Sequence, residues 1–316
     1  MTIVHHVAIA VLTFRRPTDI RAILPALARE VETAGGLPFE VRIQVVDNDR
    51  EASARDAVAA LAGSLSVTID YAVEPTPGIS AARNRALAEA DAAEDDLLIF
   101  IDDDERPEPG WLAALLGVWS AGGAEAVVGP VRSTFERQPD AWIEAGGFFQ
   151  RRRLATGERV EVAATNNLLL DLAFVRRHGI RFDLGVGITG GEDTMFTREL
   201  IRAGGRIVWC AEAMVVDVVP AKRVSRRWVM LRAFSSGNSW ALTSLKLART
   251  PAERVRTVAD LVVRGAVRAA GGCLRIVEGI LRRSLDRRAR GARTLARGLG
   301  MVSGAFGYRY QEYRRG

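Results

Sequence analysis

The sequence predicts an α/β fold, a mainly parallel central sheet with helices on both faces and a basic amphipathic helical region toward the C-terminus. Three observations carry this. Apolar runs of strand length alternate with stretches of helical periodicity over residues 7–116, the pattern of parallel strands joined by crossover helices. Three of those runs end in polar residues, at Thr13, at Asp47 and Asn48, and at Asp102, Asp103 and Asp104, where an open sheet of this kind holds its ligand. The apolar share of the 316 residues is 48%, enough for one large core or for two domains.

Residues 7–12 form a continuous apolar run and read as a strand buried on both faces. Residues 19–30 follow as a helix with Ile20, Ile23, Leu24 and Leu27 on one side. Strands are expected at 41–46 and 67–73, with a helix at 52–61 between them. The turn Pro75-Thr76-Pro77-Gly78 leads into a helix at 79–90 that bears Arg83 and Asn84. The run 97–101 is the next buried strand, and Trp111 opens a helix at 111–116. Beyond Val131 the pattern loosens, with a connection or hairpin at 151–162 and an apolar stretch at 168–170. Residues 207–209 and 214–217 read as edge strands.

The strand at 97–101 stops in three consecutive carboxylates. They repel one another and are costly to desolvate, so water or a cation must answer them. Hard oxygen ligands suit Mg²⁺ or Mn²⁺ holding a substrate phosphate; a solvated acidic turn is the plain alternative. Neither a Gly-x-Gly-x-x-Gly loop nor a Gly-x4-Gly-Lys-Ser/Thr loop is present, which removes the main support for dinucleotide and P-loop folds. Further on, Gly185, Gly187, Gly190 and Gly191 deliver Glu192 and Asp193 to a helix start. The plain reading there is that Asp193 caps the helix, which is compatible with offering its carboxylate to a substrate beside the glycines.

Cys210 and Cys273 lie far apart without metal-ligand spacing, so neither a disulfide nor a zinc site is indicated. The N-terminus lacks the pattern of a signal peptide, and no uninterrupted apolar run reaches the length of about 18 residues expected of a membrane span. The expected location is cytoplasmic. Charge is unevenly placed: residues 222–316 hold 22 Lys and Arg against five Asp and Glu, whereas residues 1–221 hold 22 against 33. An acidic body with a basic tail gives the tail a partner of its own.

Taken in order, several motifs resemble those of the inverting glycosyltransferases of family 2, which have the GT-A nucleotide-sugar fold. They are Thr13-Phe14-Arg15-Arg16-Pro17, Val45-Val46-Asp47-Asn48, Gly78-Ile79-Ser80-Ala81-Ala82-Arg83-Asn84, Asp102-Asp103-Asp104, Thr165-Asn166-Asn167-Leu168 and Gly191-Glu192-Asp193-Thr194. Each is weak alone; the ordered set, spanning residues 7–232, is specific. The resemblance implies a catalytic domain at 1–221, with a nucleotide-binding half at about 1–130 and an acceptor half at about 131–221, followed by the tail at 222–316. It implies that Thr13, Phe14, Arg15, Asp47, Asn48, Arg83, Asp102 and Asp103 bind the nucleotide sugar, UDP-, GDP- or dTDP-linked. Asp104, with Asp102, would hold Mn²⁺ or Mg²⁺ on the diphosphate. Asp193 would be the general base, with Glu192 orienting the acceptor, a lipid-linked or envelope glycan. One departure stands out: where many relatives carry a metal-binding histidine before a Val-Pro pair, this chain has Asp217, so that the metal would be held either by Asp217 through oxygen or by Asp104 and water alone.

The tail can be drawn as one helix over 254–285. Arg264, Arg268, Arg275 and Arg282 then share a face, and Val258, Val262, Ala266, Ala269, Ile276, Val277 and Ile280 fall on the opposite half. It reads either as a helix packed on its own domain or as an interfacial helix on an anionic membrane surface, placing the protein peripherally at the inner face. No nucleic-acid fold accompanies the charge, so nucleic acid is not an expected partner. Two other functions compete with sugar transfer. A nucleotidyltransferase would want a glycine-rich loop after the first strand, which the chain lacks; an inactive relative serving as a glycan-binding or scaffold subunit is disfavoured by Asp104 and Asp193 and left open by Asp217.

Overall fold

The computed structural model describes residues 4–186 and 190–310. In chain order the elements are β1 (His5–Thr13), α1 (Pro17–Thr33), β2 (Phe39–Asp47), α2 (Arg55–Ala62), β3 (Ile69–Val73), α3 (Ile79–Ala92), β4 (Leu97–Asp102), β5 (Glu105–Pro107), α4 (Trp111–Ser120), β6 (Ala126–Val128) and β7 (Val131–Phe135). They continue as α5 (Ala141–Gly146), β8 (Arg159–Val160), β9 (Asn167–Asp171), α6 (Leu172–His178), α7 (Glu192–Arg202), β10 (Ile207–Trp209), β11 (Val215–Val219), α8 (Arg226–Leu247), α9 (Pro251–Leu281) and α10 (Leu285–Ala305).

The chain divides into two compact units. The first comprises Met1–Arg132, Arg151–Gly187 and Phe196–Asp217; the second comprises Ser133–Gln150, Ile188–Met195 and Val218–Gly316. The expected boundary at 221/222 lies close to the last crossing, and the second unit takes in two earlier segments as well.

The first unit is built on a sheet in the order β3-β2-β1-β4-β9-β6-β10-β8. Its first four strands are mutually parallel, and so are β6 and β10; β9 runs antiparallel to β4 and β6, and β8 antiparallel to β10. The run 207–209, expected at an edge, is therefore an inner strand, covered by the two-residue β8. Continuous apolar sequence in β1 serves both faces. Val7, Ile9 and Val11 join Ile20, Ile23, Leu24 and Leu27 of α1 and the apolar side of α4. Ala8, Ala10 and Leu12 join Ala82, Ala86 and Ala90 of α3 and Phe174 and Val175 of α6. Alternation of side chains along a strand produces this division. A small second sheet pairs β5 antiparallel to β11, with Asp217 opposite Glu105.

The second unit is helical. α9 and α10 form an antiparallel hairpin in which glycines recur every seventh position, Gly265, Gly272 and Gly279 on α9 and Gly291 and Gly298 on α10. A Cβ on Gly272 would stand 2.8 Å from the Gly291 carbonyl oxygen, and one on Gly298 would stand 2.6 Å from that of Gly265. The two backbones approach as closely as small residues allow. α8 closes on the other side of α10, where buried Asn238 donates to the Tyr308 carbonyl at 2.9 Å and accepts from the Tyr310 N–H at 3.0 Å. Arg293 donates to the carbonyls of Gly146 and Gly147 at 3.2 and 2.6 Å, satisfying acceptors that the end of α5 leaves open.

Two expectations for the tail are corrected here. The helix drawn to residue 285 ends at Leu281; Arg283 turns the chain with φ 51° and Ser284 caps α10. The expected apolar half is also divided: Val258, Val262, Ala269 and Ile276 are half-buried, whereas Ala266, Val277 and Ile280 are exposed.

Candidate active site

Parallel register brings the polar strand ends of the first unit together: Thr13 lies opposite Asp47, and Leu12 opposite Asp102. The side chains that follow have distinct tasks. Thr13 donates its hydroxyl to Asp103 Oδ2 at 2.8 Å. Arg16, at the start of α1, donates to Asp103 Oδ1 at 2.8 Å and to Asp104 Oδ2 at 2.9 Å. Asp103 is buried, with a side chain 5% exposed, while that of Asp104 is 25% exposed. Burial pushes the Asp103 carboxyl up to about 6, against the pull of Arg16 and the Thr13 hydroxyl. The middle acid thus fastens the strand end, and its neighbours Asp102 and Asp104 are half-buried.

Asp47 and Asn48 fix the adjoining loops. Asp47 is fully buried and accepts from the N–H groups of Asp49 and Ala54 at 3.0 and 2.8 Å and from the Tyr71 hydroxyl at 2.8 Å. Asn48 donates to the carbonyls of Glu74 and Thr76 and accepts from the Gly78 N–H, holding the turn before α3. Arg15 sits at φ 56°, an uncommon backbone state for a side-chain-bearing residue and one that clusters at functional sites. Its guanidinium lies over the Phe14 ring at 5.1 Å and bonds Asp49 at 3.2 Å. Arg83 is buried with its guanidinium 5.4 Å over Phe182, and Asn84 exchanges two hydrogen bonds with the Phe182 backbone.

The acidic centre is larger than the three-acid run. Glu105 is 2% exposed; one oxygen accepts from Asn166, and Oε2 has no hydrogen-bond partner. Its carboxyl is pushed well above the usual range, first by burial and then by the charges of Asp102, Asp104 and Asp217. Asp217 is buried and meets Arg151 at 3.4 Å. Asn167 is structural: it accepts from Trp111 Nε1 at 2.8 Å and donates to the Pro130 and Ala213 carbonyls. Sequence reasoning did not assign roles to Arg16 and Glu105. Their signals were an arginine directly before the helix-opening Pro17, and a fourth acid continuing the run.

This donor set suits a hard divalent cation. An orphaned, buried carboxylate oxygen among three further carboxylates is relieved by a positive ion, and all-oxygen donors match Mg²⁺ or Mn²⁺. Among the described residues no three His, Cys, Asp or Glu side chains converge into a ready-made cage for a metal ion.

Glu192 and Asp193 belong to the second unit and open α7, Glu192 buried and Asp193 half-buried. Carboxylates in a first helical turn are stabilised by the helix dipole. Gly191, at φ 98°, lets this start lie against α8, since a Cβ there would stand 3.1 Å from Thr243 Cγ2.

Known proteins place this arrangement. The family model described as glycosyl transferase family 2 matches residues 8–177. The succinoglycan biosynthesis protein ExoM of Rhizobium meliloti (strain 1021) is 35% identical over 263 residues, 83% of this chain and 81% of that one. Among solved structures, S. aureus TarS 1-349 in complex with UDP-GlcNAc aligns with a TM-score of 0.53 at 15% identity, over 91% of this chain and 90% of that one. The same protein in complex with UDP aligns with a TM-score of 0.51 at 16% identity, over 92% and 90%. At such identities the structures speak for the fold, which is GT-A. With more than half of its length matched by the family model and a relative at this identity along most of both chains, the chain belongs to glycosyl transferase family 2.

Proposed function

We propose that the protein is an inverting, divalent-metal-dependent glycosyltransferase. It moves a hexosyl group from a nucleotide sugar to a hydroxyl of a lipid-linked or exopolysaccharide glycan, working peripherally at the inner face of the cell membrane. The observation that carries the reading is the set of carboxylates around the carboxyl end of β4, where Asp102 and Asp104 are followed by buried Glu105, which pairs with Asp217 across the small second sheet. The UDP-GlcNAc bound by TarS supports the donor class, and the succinoglycan pathway named for ExoM supports a polysaccharide acceptor.

Asp104 and Asp102, with Glu105 and Asp217 beside them, would hold Mn²⁺ or Mg²⁺, which when bound neutralises charge on the departing nucleoside diphosphate. Arg16 holds Asp104 in place. The acceptor oxygen attacks C1 from the face opposite the diphosphate; the new C–O bond forms as the old one breaks, and Asp193 takes the hydroxyl proton. One such displacement inverts the anomeric centre. Glu192 orients the acceptor, and Arg15 and Arg83 lie along the nucleotide side.

A donor panel tests this. With Mn²⁺ present, one nucleotide sugar is expected to raise the melting temperature and to release nucleoside diphosphate, both lost on chelation. Failure of every nucleotide sugar to do either in the presence of Mn²⁺ would overturn the reading.

A further inference from the structure

α9 has two apolar faces, and the fold uses only one. The inner face, with Leu261, Gly265, Gly272 and Gly279, is buried in the helical unit. On the outer face Val263, Val267, Ala270, Leu274, Val277 and Leu281 follow one another at intervals of four and three residues. At 100° per residue they fall in one stripe about 80° wide. All six are exposed, Val267 at 67%, Leu274 at 71% and Leu281 at 78%. A continuous apolar stripe left in water marks an interaction surface.

Charge decides what covers it. Arg264, Arg268, Arg275 and Arg282, all exposed, run along one flank at about 100–140° from the centre of the stripe. The acids beside them are Asp260, 2.6 Å from Arg264, and Glu278, 3.1 Å from Arg282 and also paired with Arg287. These exposed pairs are weak and screened, and residues 222–316 carry 22 bases against five acids. A second copy of the chain would bring basic face to basic face. A nucleic acid would meet the arginines and leave the stripe in water. An anionic lipid surface answers both features, taking the apolar side chains at the acyl boundary and the guanidinium groups among the headgroups.

We propose that the outer face of α9 is the membrane-binding surface of this protein, lying flat on anionic lipid. No helix among the described residues is long and apolar enough to cross a membrane, so the contact is interfacial. The inference deepens the reading of a lipid-linked acceptor and rests on it for its biological meaning; its physical basis is the helix itself.

The test uses the full chain with vesicles of phosphatidylglycerol and phosphatidylcholine, and of phosphatidylcholine alone. Wild type is expected to sediment with the anionic vesicles, with high salt weakening the association without abolishing it. The triple variant Val267→Ser, Leu274→Ser, Leu281→Ser should bind at least about tenfold more weakly with an unchanged melting temperature, because these side chains touch water. Replacing the four arginines by Gln should also weaken binding and flatten its salt dependence. Absence of wild-type binding at low salt, or wild-type affinity in the triple variant, would overturn the proposal. So would a dimer that the triple variant converts to monomer in light scattering. Vesicle binding without turnover of any nucleotide sugar would sink the transferase reading and leave the lipid surface standing; turnover without vesicle binding would do the reverse.

Discussion

Asp102, Asp103 and Asp104 are chemically identical and adjacent, yet the fold gives the middle one a different fate. Asp103 turns inward onto Thr13 and Arg16, where it ties the start of α1 to the end of β4. Asp103→Ala is expected to lower unfolding stability by about 1–3 kcal/mol, since the Thr13 hydroxyl loses its acceptor while Arg16 keeps Asp104. Urea denaturation reads this directly; an unchanged midpoint would make the pair a solvated surface contact. Glu105 makes the opposite case. Its buried carboxyl, crowded by like charges, is costly to ionise, and the proposed cation would offset that cost. Glu105→Gln should therefore melt higher than wild type in chelator, yet gain less from Mn²⁺ and donor together. An equal Mn²⁺-dependent shift in both proteins would remove Glu105 from the metal centre.

At the scale of elements, the contrast between Gly271 and Gly272 isolates what holds the helical hairpin together. A Cβ on Gly272 would lie 2.6 Å from the Leu295 backbone nitrogen, while one on Gly271 meets open space. Gly272→Val is expected to destabilise by about 1–3 kcal/mol through overpacking, and Gly271→Ala to stabilise by roughly 0.5–1 kcal/mol through helix propensity. Thermal melts that moved both variants the same way would contradict the close approach. The heptad spacing of these glycines is present in the sequence, but the periodicity of the other apolar residues, Ala266 and Ala269 among them, predicts a single apolar half for α9. The turn at Arg282 and Arg283 escaped because neither Gly nor Pro marks it. Strands β1, β2 and β4 were legible because continuous apolar sequence between polar ends has few other meanings. That β9 runs antiparallel between β4 and β6 was not, because periodicity carries no direction. The acid run, Thr13 and Asp47 stood out as types of residue; which of them point inward depended on Arg16, Tyr71 and Asn166, all distant in sequence from the side chains they hold.

Across the whole molecule, the residues proposed for the two halves of the reaction fall in different compact units, the donor and metal residues in the first and Asp193 in the second. This division predicts that binding and chemistry separate cleanly on substitution. Asp104→Ala should abolish Mn²⁺-dependent donor affinity in calorimetry, because the proposed cation would lose a carboxylate that holds it. Asp193→Asn should leave that affinity within about twofold and lower the transfer rate by about 10²-fold or more, the scale of a positioned general base. The asparagine keeps the size of the side chain and gives up only the charge that the first helical turn favours, so stability should fall by no more than about 1 kcal/mol while the proton acceptor is lost. Transfer at the wild-type rate in Asp193→Asn would reduce the residue to a first-turn carboxylate of α7. A loss of donor affinity equal to the loss of rate would instead place Asp193 in the donor pocket and dissolve the division of labour between the units.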